Sequence, residues 1–183
     1  MAKERNIFEF PETFKVSCLI KSPKQYDVEE LIKVIGNKIL GYNEANIIVQ
    51  YNDKILNRFS TDDCELQALL DKSIVPHTYN LMIRTRFQES LETIICHEMK
   101  HFDQYEKGDL EIRKDDSGLA FIYKGKEYKS STDYYSRPWE KKPGLHSLNC
   151  EKNLKNYIIK MNNLFIAQNV PHIILGGGDL KYS

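Results

Sequence analysis

Long apolar runs, paired cysteines and an excess of either charge are all missing from this 183-residue chain, and each absence closes off a class of protein. No stretch approaches the roughly 18–20 apolar residues that cross a bilayer as a helix, so no membrane association is expected. The segment Met1-Ala2-Lys3-Glu4-Arg5-Asn6 has no apolar core of a secretory signal, and the expected location is a cytoplasm. Lys+Arg and Asp+Glu number 26 each. A chain without net charge has no global field to gather nucleic acid, and none is expected as a partner. Cys18, Cys64, Cys96 and Cys150 are widely spaced, with no CxxC pair. They read as reduced, mostly buried thiols rather than a disulfide framework or a cysteine-rich metal site. Internal repeats and low-complexity segments are absent too.

What is present is an ordinary globular composition, 41% hydrophobic and 28% charged, in one domain expected over residues 1–175. Gly176-Gly177-Gly178 opens a flexible tail over 176–183; no helix follows it, so it is not a phosphate loop. Alternation predicts a strand over 13–20. Asp27 and Glu30 form a capping-box pattern ahead of a helix through Ile39 and Leu40, closed by Gly41. Ile47 to Tyr51 reads as a strand, with a turn at Asn52-Asp53. Thr61 or Asp62 is expected to cap a short helix carrying Leu66, Leu69 and Leu70. Tyr79 to Arg84 reads as a strand able to hold an extended peptide by strand addition. A helix follows from near Ser90 to Lys107, with Leu91, Ile94 and Ile95 buried and Gly108 as its stop. A β-hairpin over 110–128 turning at Lys124-Gly125, then a helix over about 148–167, complete an α+β chain.

The helix from Ser90 contains His97-Glu98-Met99-Lys100-His101, an HExxH pentapeptide. Histidines four apart share one face of a helix, so both imidazoles reach one ion. Glu98 then points toward the open side of that ion. This is the core of a zinc-dependent hydrolase, with His97 and His101 as ligands and Glu98 as general base toward a zinc-activated water. A catalytic zinc takes a third protein ligand. Lys107 stands where a third histidine of an extended motif would be, and Glu106 lies on the opposite face of the helix. Glu140 and His146 remain, both far enough downstream to return across the site. Gln104, seven residues past His97, falls near the same face and is a candidate contact to a ligand or substrate. Asp103 reads as a helix-surface carboxylate. Tyr135, with Tyr134 beside it, is a candidate donor to a tetrahedral oxyanion. Trp139 reads as a packing anchor for the segment carrying Glu140.

His97 to Tyr105, then Gly108-Asp109-Leu110, a hairpin, and Tyr134-Tyr135-Ser136-Arg137-Pro138-Trp139-Glu140 together resemble small zincin-type metallopeptidases encoded by phages. The likeness spans about residues 80–142. In that family an HExxHxxQ helix precedes a hairpin, a tyrosine and a Pro-Trp-Glu segment whose glutamate is the third ligand. The resemblance therefore implies Glu140 as that ligand, a zincin-like α+β fold with a small mixed sheet on the HExxH helix, and hydrolysis of peptide bonds in a peptide or protein substrate. The chain departs from the family at Lys141-Lys142-Pro143-Gly144, which breaks the helix usually found there. The competing expectation is a non-catalytic structural or protein-binding module, in which Glu140 and His146 close a four-ligand site that only holds the fold together.

Overall fold

The computed structural model describes residues 10–19, 28–60, 65–86, 88–115, 118–140, 149–157 and 159. Its elements mix α and β. They are β1 (Phe14–Cys18), α1 (Val28–Lys33) continuing as a π-helical turn (Val34–Ile39), β2 (Ala45–Tyr51), α2 (Asp53–Phe59), β3 (Ala68–Lys72), β4 (Thr78–Ile83), α3 (Leu91–Glu106), β5 (Leu110–Asp115), β6 (Gly118–Tyr123), β7 (Lys126–Lys129) and a 3-10 turn at Tyr134–Ser136. Residues 149–157 are helical as well. Among the described residues no helix is long and apolar enough to cross a membrane.

The main sheet has the order β1-β2-β4-β3, with β1, β2 and β4 parallel and β3 antiparallel to β4. Its register lines up one buried face: Val16, Ile47 and Tyr79 form one row, and Val49, Leu81 and Leu70 the next. Alternation with period two sends these residues to a single side, where α1 and α3 cover them and touch each other. From α3, Leu91, Ile94, Ile95, Met99 and Phe102 complete the core. The close approach of β1 to the π-helical turn depends on glycine. A Cβ on Gly36 would stand 2.1 Å from Phe14 Cζ.

Three expectations fail here. Asn52-Asp53 is not a plain turn: Asn52 Oδ1 accepts from Ile55 N at 3.1 Å and caps α2. The leucines at 66, 69 and 70 do not make a helix. Ala68 to Lys72 pair with β4, because Ala68 and Leu70 gain burial in the sheet, which outweighs a helical spacing of three leucines. Thr61, Asp62 and Asp27 lie outside the described residues. Finally, β4 cannot take an added strand, since β2 and β3 occupy both its edges. Among the described residues the outer strands are β1 and β3, and β3 is the one that packs against α3. Gln67 O and Ser73 N bond toward β4, so the alternation of an antiparallel ladder turns the backbone groups of Ala68, Leu70 and Lys72 outward.

The region 110–128, expected as one hairpin, is instead nearly all of a three-stranded antiparallel sheet, β5-β6-β7, because Leu110 to Asp115 and Gly118 to Tyr123 pair as separate strands. Lys124 and Gly125 form the β6–β7 turn with φ of 52° and 77°, the positive pair that a two-residue hairpin loop requires. Ser90 caps α3 through Thr93 N, and Gly108, at φ 69°, follows its end.

Candidate metal centre

α3 places His97 and His101 one turn apart, and their rings meet edge to face with centroids 4.9 Å apart. Their Nε2 atoms are 3.2 Å from each other. Glu140 arrives from the opposite side, its Oε2 lying 3.4 Å from His97 Nε2 and 3.3 Å from His101 Nε2. The three atoms form a nearly equilateral triangle. Tetrahedral zinc with bonds of about 2.0–2.1 Å sets its ligand atoms about 3.3–3.4 Å apart, so this triangle has the size of one face of such a site.

Glu140 Oε2 is buried and has no hydrogen-bond partner. A buried carboxylate oxygen without a hydrogen bond calls for nearby positive charge to compensate it. Burial pushes the Glu140 carboxyl upward in pKa, but the close approach of His101 and His97 outweighs this and holds it far below the usual range. For His101, burial pulls downward, and the Glu140 carboxylate more than reverses it, raising the ring to about 9. Two imidazoles and one anionic oxygen that makes no hydrogen bond and meets only those two rings, all aimed at one point, suit a divalent cation. Among the described residues this is the group of His, Cys, Asp and Glu side chains that converges closely enough to hold a metal. His97 is its exposed corner, with a side chain 27% accessible against 10% for His101 and 12% for Glu140.

What delivers Glu140 is the small second sheet. Trp139 is buried, its ring 5.1 Å from Phe121, 5.3 Å from Tyr128 and 6.0 Å from Tyr123. Arg137 donates to Thr132 O at 3.0 Å and Ser130 O at 3.3 Å, and its guanidinium covers Phe121. Glu140 N closes a turn onto Arg137 O at 3.1 Å. The expectation for Trp139 as an anchor is met.

Comparison with protein-family models, with curated proteins and with solved structures finds no match for this chain. Its chemistry rests on its own geometry.

Glu98 is buried on the face of α3 toward β3, and its Oε2 accepts from Leu70 N at 2.8 Å. This N–H is one of the outward-facing donors of the sheet edge. Desolvation raises the Glu98 carboxyl above its ordinary value, and Glu140 adds to this against the opposing pull of His97 and His101. A raised carboxylate is better matched to proton transfer near neutral pH. Leu70 escaped the sequence reading because a backbone donor leaves no side-chain signature; only the strand pairing of β3 reveals it.

Gln104 is buried beside His101 and touches its ring. Asp103, by contrast, is not the surface carboxylate expected from the sequence. It is buried and accepts from Tyr42 Oη at 2.9 Å, from Lys107 Nζ at 2.9 Å and from Lys100 Nζ. It ties α3 to the segment after the π-helical turn and contacts no ligand of the triangle. Glu106 faces away from the site, bonding His77 Nδ1 at 2.8 Å and the Tyr79 hydroxyl. Tyr134 lies with its ring 5.8 Å from the Arg137 guanidinium. The Tyr135 side chain, His146, Cys64 and the tail over 176–183 fall outside what is described. Cys18, Cys96 and Cys150 are not in disulfides, and Cys96 lies in the core.

Proposed function

We propose that this chain is a zincin-like zinc metallopeptidase, with His97, His101 and Glu140 as the metal ligands and Glu98 as general base. The observation that carries the reading is the triangle of two Nε2 atoms and an orphaned carboxylate oxygen, sized for zinc, with a buried glutamate one residue from its first histidine. Zinc, when bound, supplies the Lewis acid that polarises a scissile carbonyl and makes a water acidic near neutral pH. The protein's own groups do the rest. Leu70 N–H holds Oε2 of Glu98, which leaves Oε1 to accept a proton from the attacking water and return it to the leaving amine. The substrate is an extended peptide lying along the outer edge of β3, where the outward backbone groups of Ala68 and Lys72 and the Leu70 carbonyl offer ladder bonds, the Leu70 N–H being held by Glu98. Tyr135 is the proposed donor to the oxyanion. The expected setting is a cytoplasm, that of the host if, as the sequence resemblance implies, a phage encodes the chain.

The test is Glu98→Gln, assayed with zinc loaded on an unfolded protein substrate and on a peptide library. This variant is expected to keep its zinc and lose about 100-fold or more in turnover, the usual contribution of a positioned base. Zinc-loaded wild type that cleaves nothing, or a variant as active as wild type, would overturn the reading and favour a non-catalytic module.

A further inference from the structure

Gln104 sits at the junction of the two halves of the site. Its side chain is buried in α3, 2% accessible as a residue, and each end of its amide meets a partner among the described residues. Nε2 donates to Trp139 O at 3.3 Å, and Oε1 lies 2.9 Å from His101 Nδ1. The direction of both bonds follows from chemistry. Trp139 O is a carbonyl and can only accept, so the NH₂ end of the amide must face it. The carbonyl end therefore faces His101 and can only accept in turn. Nδ1 of His101 must carry a proton, and in the neutral ring the lone pair is left on Nε2, which points into the triangle.

We propose that Gln104 is a positioning residue that selects the metal-ready tautomer of His101 and, through the same amide, locks the residue preceding Glu140 to α3. This rests on the metal reading above and adds to it a single group that couples a helix ligand to the ligand arriving from the second sheet. One amide thus orients two of the three ligands. A solvated glutamine at this position would do neither. A purely structural glutamine would hold Trp139 O without any effect on which nitrogen of His101 is free.

The two halves of the role separate by substitution. Gln104→Met removes both bonds at similar volume. Gln104→Glu keeps an acceptor for the His101 N–H and loses the donor to Trp139. Zinc affinity is measured for wild type and both variants by competition with a chromophoric chelator, with zinc alone as the probe. Gln104→Met is expected to bind zinc about 10–100-fold more weakly, the usual loss on removing a partner that orients a ligand, and Gln104→Glu to recover most of that loss. Equal weakening in both variants would overturn the tautomer role, and no weakening in Gln104→Met would overturn the whole inference. Wild type that takes up no zinc would sink the metal reading first, and this inference with it, before any variant is compared. A second measurement needs no variant: a long-range proton–nitrogen spectrum of zinc-loaded wild type. It is expected to show a slowly exchanging proton on His101 Nδ1 with zinc on Nε2. Zinc on Nδ1 would contradict the inference even if Gln104→Met failed to fold.

Discussion

At the scale of single residues, the protonation of His101 links metal binding to pH. Burial alone would lower this ring, but the Glu140 carboxylate raises it from 6.5 to about 9. Zinc binds neutral imidazole and must therefore expel a proton through the neutral range. Zinc affinity, measured in chelator-buffered titrations, is expected to rise about tenfold per pH unit from about pH 7 to 9. A flat profile above pH 7 would contradict the pairing with Glu140. The metal-free protein should show the opposite trend. A ring raised in the folded state contributes stability that is fully present below its ordinary 6.5 and is lost as pH rises through about 9. Glu140 stays charged throughout, since His101 and His97 hold it well below the usual carboxylate range despite its burial. At this scale the sequence was informative where side chains carry the chemistry. His97, Glu98 and His101 follow from helical spacing, whereas Asp103 was misjudged because its partners Tyr42 and Lys107 include a residue far away in the chain.

At the scale of elements, the site is made by α3, the edge strand β3 and the Trp139-bearing turn beyond the second sheet. That turn is only as well placed as its anchor, and Trp139 fills the space among Phe121, Tyr123 and Tyr128. Trp139→Ala is expected to cost about 3–5 kcal/mol of stability in urea denaturation, the usual price of deleting a buried aromatic. Its zinc affinity should fall at least tenfold, a loss about the size of 1.4 kcal/mol or more, because Glu140 loses its orientation while both histidines remain. Unchanged affinity in a folded Trp139→Ala protein would show that Glu140 is not held by this turn. Elements with strong local signals were legible: α3 begins at its Ser90 cap and stops before Gly108. The misread element is β3. Leu66, Leu69 and Leu70 fit a helical spacing, and nothing local reveals that β4 lies alongside to pair with Ala68 to Lys72. With β3 in place beside β4, which is paired on both sides, the edge near α3 that can take an extended peptide is that of β3.

At the scale of the whole molecule, a mixed four-stranded sheet gives α3 a rigid floor, and a separate three-stranded sheet brings Glu140 across to it. The α+β class was legible from the order of elements, but the order β1-β2-β4-β3 was not, since it depends on pairings between residues distant in the chain. The convergence of Glu140 with His97 and His101 is likewise a property of the assembled fold: Glu140 lies 39 positions beyond His101 in the chain. The most direct test of the account is the metal content, by elemental analysis after zinc loading and desalting, of wild type beside His97→Ala and Glu140→Ala. One zinc per chain in wild type, abolished in His97→Ala and strongly reduced in Glu140→Ala, is the predicted result. Full zinc retained by Glu140→Ala, or no zinc in wild type, would contradict it.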